Sequence, residues 1–218
     1  MKHSALSYAN QWFMTDRALI RGLIDADSSE VNANVLGDLA AKYMVARGFK
    51  KNTDNTHPSS QRWIKAAVHL KDSVLTDEPV EVKVHALAID LGRVAPVQNA
   101  TGTNLLSAAT KFLWFAGQHK VRILDRRAVE ALGRLRGLRG KLGSDYALYD
   151  EVWQEQFNEH QGILGEAVAE LPYQLDWSLI PSQEHTEAKA VFKLPWFIDR
   201  VFDNYLWTLG VSSEGRVT

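Results

Sequence analysis

The 218-residue chain has no cysteine, which excludes disulfides, thiolate metal sites and cysteine nucleophiles. No run approaches the roughly 18 apolar residues that a membrane span needs. Met1 to Asn10 lacks the apolar core of a secretory signal, and the acids that follow are unlike a transit peptide. A cytoplasmic protein with no membrane partner is expected. An excess of charge of one sign is also missing: 25 Lys and Arg stand against 26 Asp and Glu, a formal net charge of -1. That balance excludes a wholly basic nucleic-acid protein but not a basic segment within the chain. The seven histidines form no HExxH and no i, i+4 pair, so no metal is expected. A GxSxG elbow and a glycine-rich nucleotide fingerprint are likewise absent, and no cofactor is expected.

What remains is an ordinary globular composition, 45% apolar and 23% charged. Seven tryptophans ask for large buried or stacking surfaces. The length suits a single domain over 1–218, with 1–95 and 96–218 as its alternative sub-lobes. Apolar residues recur at helical spacing in most segments. Leu19, Ile20, Leu23 and Ile24 share one face, and Val35, Leu36, Leu39, Ala40, Tyr43 and Met44 share another. A polar turn at 54–60 precedes a helix carrying Trp63, Ala66, Ala67 and Leu70. Pro79 suits the first turn of a further helix through Val84 and Leu87, although its valines also permit a strand. Residues 95–103 read as a connection, 105–116 as a short apolar helix, and 119–124 as an extended link. Asp125 is placed to cap a helix over 126–135, and the glycines at 133, 137, 140 and 143 mark a loose loop. Ser144 or Asp145 starts a long helix to Leu171; 172–193 is a connector, and 195–209 is a terminal helix. The expected fold is all-α, a compact multi-helix domain of about eight to ten helices.

Charge is segregated along the chain. Between Lys111 and Lys141 nine basic residues face only Asp125 and Glu130, a net +7. Between Asp145 and Ala188 there are ten acids and no Lys or Arg. A glycine-spaced basic block can grip phosphates. It can equally be neutralised by the acidic block across a helix pair.

The basic block contains Leu106-Ser-Ala-Ala-Thr-Lys-Phe-Leu-Trp-Phe-Ala116, then Val121-Arg-Ile-Leu-Asp-Arg-Arg-Ala-Val129. This pair resembles the core of the helix-hairpin-helix DNA glycosylases, above all their 8-oxoguanine branch. Thr110-Lys111 matches the family's catalytic lysine, and 123–129 matches its aspartate motif. Ser107-Ala108-Ala109 stands where the family has Gly-hydrophobic-Gly, so small residues are kept while glycine freedom is not. The resemblance covers about 30 residues and implies an all-α glycosylase fold and excision of a damaged or modified base.

It further implies Lys111 as nucleophile and Asp125 as electrostatic stabiliser. Cleaving an N-glycosidic bond builds positive charge on the sugar, which a nearby carboxylate steadies. A lysine amine can displace the base and form a Schiff base, which allows strand cleavage by β-elimination. Lys120, Arg122, Arg126 and Arg127 are expected to contact DNA. An extruded base needs an aromatic platform, and Trp63, beside a polar turn and flanked by Arg62 and Lys65, is the candidate. The substrate class includes 8-oxoguanine and bulky modified cytosines of phage DNA in an antiviral setting, the enzyme acting as a monomer. The competing expectation is a non-catalytic all-α module on the same scaffold that binds DNA or a protein. Trp196, Phe202 and Trp207 are expected in the core, and Glu151, Glu155 and Glu159 as a solvated or arginine-pairing ladder.

Overall fold

The computed structural model describes residues 1–25, 29–46, 49, 61–94, 105–138, 140 and 142–211. These residues are all-α, with no strand among them. No helix among them is long and apolar enough to cross a membrane. The chain divides into two compact units, one formed by Met1–Arg17 with Asp125–Thr218 and the other by Ala18–Leu124. The boundaries therefore fall at Arg17/Ala18 and Leu124/Asp125 rather than near residue 95, because the N-terminal helix packs with the C-terminal ones.

In the discontinuous unit, α1 (Lys2–Gln11) runs into a π-helical turn at Trp12–Asp16. The Thr15 hydroxyl donates to Gln11 O at 2.9 Å within that turn, and the Gln11 amide reaches Asp16 at 3.1 Å. The sequence pattern alone assigns no element to residues 2–11. They are helical because Ala5, Tyr8, Ala9 and Trp12 form one buried stripe at i, i+3, i+4 and i+7. α2 (Arg17–Ile24) continues directly from the turn.

Further along the same unit lie α7 (Arg126–Arg136), α8 (Tyr146–Ala169), α9 (Leu171–Gln174), α10 (His185–Val191) and α11 (Pro195–Val211). Asp125 caps α7 by accepting the Arg127 N–H at 3.0 Å, and Asp145 caps α8 by accepting the Leu148 N–H at 3.0 Å. Two expectations change here. The 172–193 connector carries α10 and two 3-10 turns, at Leu175–Trp177 and Ser182–Glu184. Gly133 belongs to α7 rather than to a loop, and only Gly137, at φ +68, provides the left-handed residue that ends the helix.

α11 is the centre of this unit, packing on α1, α7 and α8. Trp153 and Phe157 stack at 5.0 Å and meet Phe202 edge-on, while Tyr8 packs on Phe197 at 5.3 Å. Asp203 joins two of the polar groups buried there. Trp153 Nε1 donates to Asp203 at 2.7 Å, and Arg200 donates to the other carboxylate oxygen at 2.6 Å. Phe202 is in the core as expected, but Trp196 is only half-buried and Trp207 is exposed. The α11 face that bears Trp207 meets the Arg127 guanidinium, 4.3 Å above the indole, instead of apolar neighbours.

The second unit contains the remainder of α2 with α3 (Ser29–Lys42), α4 (Gln61–Leu75), α5 (Val80–Val94) and α6 (Leu106–Phe115). α5 is a helix and not the strand its valines allow, since Val84, Leu87, Ala88 and Leu91 repeat at helical spacing and are all buried. α3 packs on α4, α4 on α5 and α5 on α6. The sequence-expected connections at 54–60 and 95–103 lie outside the described residues.

Candidate functional site

α6 is buried almost all round: from Ala108 to Phe115 every residue is buried, Lys111 among them. A lysine in such surroundings needs partners for its nitrogen. Lys111, 1% exposed, donates from Nζ to Ser107 Oγ at 2.8 Å, one turn back, and to Leu124 O at 3.3 Å. The adjacent Thr110 completes the arrangement. Its hydroxyl donates to Ser107 O at 3.2 Å and accepts the Leu124 N–H at 3.1 Å.

Leu124 is buried and lies in neither a helix nor a strand, so both its peptide groups need partners from elsewhere. Two consecutive α6 side chains supply them. The clasp joins the two halves of the motif pair and fixes the residue that precedes Asp125.

In the sequence Ser107 stands out only for its small size. Its signal is the i, i+4 spacing to Lys111, which brings a hydroxyl within reach of the amine on a largely apolar helix. Ser107-Ala108-Ala109, expected in place of the glycines of a hairpin, lies in the first turn of α6.

The remaining candidates are dispersed. Trp63 is 5% exposed and packs on Phe49 at 4.8 Å and Phe112 at 6.3 Å. Gly37 lies against its indole so closely that a Cβ there would come within 3.1 Å. It is a core residue, which corrects its reading as a base platform: the apolar side of α4 turns it inward. Lys120 and Arg126 are exposed, and Arg122 is half-buried. Arg126 lies 3.7 Å from Glu130 and Arg127 covers Trp207.

Other members of the basic block serve the fold. Arg134 donates to Leu209 O at 2.8 Å, capping the end of α11, and Arg136 pairs with Glu155 and, at 3.4 Å, with Glu159. The acid ladder is thus arginine-pairing in part. Arg139 and Lys141 lie outside the described residues. No three His, Asp or Glu side chains group as metal ligands among the described residues.

The chain was compared with protein-family models, with curated proteins and with solved structures, and nothing matched.

Proposed function

We propose that the chain is a DNA glycosylase of the helix-hairpin-helix kind that excises a damaged or modified base, 8-oxoguanine or a bulky modified cytosine of phage DNA among them. Lys111 is the nucleophile and Asp125 the carboxylate that steadies charge on the sugar. The observation that supports the reading is the buried setting of Lys111 in an apolar helix. Removal from water is how amine nucleophiles are kept reactive. The amine bonds to C1′, the C1′–N bond breaks, and its electron pair leaves with the base, which takes up a proton. Ring opening then gives the Schiff base.

Because Nζ is held by Ser107 and Leu124, this chemistry requires the clasp to open when DNA binds. Lys120, Arg122 and Arg126 remain the phosphate contacts in this reading. Arg127 takes part by exchanging Trp207 for a phosphate.

The same clasp favours a second reading, in which Lys111 is purely structural and the chain is a non-catalytic all-α module that binds DNA or a protein. Borohydride trapping on duplexes bearing a panel of modified bases separates the two. The glycosylase reading expects a covalent adduct with the unaltered chain, none with Lys111→Gln, and release of the base. A chain that neither traps nor releases any base is the non-catalytic module. Its DNA binding, if present, falls on charge reversal at Arg126 and Arg127 and ignores Asp125→Asn.

A further inference from the structure

The most exposed aromatic side chains among the described residues lie four positions apart just beyond α8, remote in sequence from the clasp. Tyr173 is 81% and Trp177 78% exposed, and they are one helical turn apart across α9 and the following 3-10 turn. Leu179, two residues on and 66% exposed, is held by its N–H donating to Asn10 at 2.8 Å. One turn beyond Asn10, Met14 is exposed as well. The segment is rigidly seated, because Leu171, Leu175 and Ile180 point inward and are buried. Two aromatics and a leucine so exposed present on the order of 400 Å² of apolar surface. That is comparable with the largest apolar patch of a typical monomer, which is often functional.

Charge decides what the patch fits. Between Asp145 and Ala188 the chain has ten acids and no Lys or Arg. Some of these acids are engaged: Glu170 by Lys2 at 2.6 Å, and Glu184 and Glu187 by Arg17 at 2.7 and 3.1 Å. Asp176, between the two aromatics in sequence, is 89% exposed on its side chain, with His185 4.0 Å away. Glu166 is exposed one turn before Glu170, on the same helical path. Carboxylates beside aromatic faces suit a guanidinium or ammonium lying over the rings. A nucleic acid would stack on the same aromatics but would bring phosphates against Asp176 and Glu166. We infer that the Tyr173–Trp177–Leu179 face is a docking site for a basic, amphipathic segment of a partner protein.

The test uses the full chain and three fluorescein-labelled probes: a Lys/Leu amphipathic peptide, the same peptide with Glu for Lys, and a single-stranded oligonucleotide. Anisotropy is expected to show salt-sensitive binding of the basic peptide alone. Trp177→Ser and Asp176→Lys, both fully surface changes, are each expected to weaken it about tenfold. Unchanged affinity of the basic peptide in both variants overturns the site. So does oligonucleotide binding that Trp177→Ser abolishes, or a dimer in sedimentation that the same change dissociates. Borohydride trapping plays no part in these readouts, so the docking site and the glycosylase reading succeed or fail separately.

Discussion

Lys111 donates from Nζ to the main-chain carbonyl of Leu124 at 3.3 Å, and Thr110, its neighbour on α6, accepts the Leu124 N–H at 3.1 Å. One buried residue outside any helix thereby has both peptide groups satisfied by two consecutive helical side chains. The arrangement makes separate, measurable demands on each of them.

Thr110→Val keeps the shape of the side chain but removes its hydroxyl. The Leu124 N–H is then left buried without an acceptor, which costs about 1–3 kcal/mol. Thr110→Ser, which retains the oxygen, is expected to lose much less. Urea denaturation of the three chains checks the order: unaltered, then Ser, then Val.

Lys111→Met removes the donor at similar length and leaves Leu124 O and Ser107 Oγ without it. Destabilisation of about 1–3 kcal/mol is expected. Lys111→Ala adds a cavity inside the buried helix and is expected to cost more, about 3 kcal/mol or beyond. Equal thermal stability of all three proteins would mean that the amine does not hold the Leu124 segment.

Helical periodicity made most of the fold legible, since Leu36, Leu39, Val84, Leu87 and Phe202 are buried at the positions their spacing predicts. The caps at Asp125 and Asp145 were equally readable, because capping chemistry is local. What escaped depends on neighbours remote in sequence. α1 is recognisable only once α11 packs on it, and Trp207 lies at the surface under the Arg127 guanidinium rather than in the core. The candidate site was legible as residue types, Thr110-Lys111 and Asp125, but not as a clasp. The partner atoms on Leu124 are main-chain groups, which no side-chain pattern advertises.

Gly210 is the closest approach of α11 to the start of α7. A Cβ added there would lie 2.5 Å from Arg127 O and 2.9 Å from its carbonyl carbon. Neither atom is the end of a flexible side chain, so the helices must separate. Gly210→Ala is expected to lower stability by about 1–3 kcal/mol despite the better helix propensity of alanine. A raised melting temperature would contradict the packing of this helix pair.

Burial pushes the Tyr8 phenol far above its ordinary value, with Asp16 and Asp203 adding to the effect and Arg200 opposing it. Its proton is held in the folded chain and released at ordinary tyrosine pH in the unfolded one. The stability this provides is complete below about pH 10 and declines as pH rises beyond it. Tyr8→Phe removes that source of decline. Denaturant titrations from pH 8 to 11.5 should show a shallower alkaline loss in the variant than in the unaltered chain.

Asp125 separates scaffold from chemistry within a single side chain. Its carboxylate accepts the Arg127 N–H and caps α7, a role that an amide oxygen performs about as well. Asp125→Asn is therefore expected to change stability by only a few tenths of a kcal/mol, whereas Asp125→Ala should cost about 1 kcal/mol. Stabilising positive charge on a sugar needs the full negative charge. If the chain excises bases through Asp125, the Asn variant keeps its fold and its DNA affinity while base release falls by about a hundredfold or more, in the range set by loss of one electrostatic stabiliser. Single-turnover base release, measured beside a urea titration of the same sample, reads both quantities. Excision that survives in Asp125→Asn and fails only in Asp125→Ala would make this residue a helix cap and nothing more.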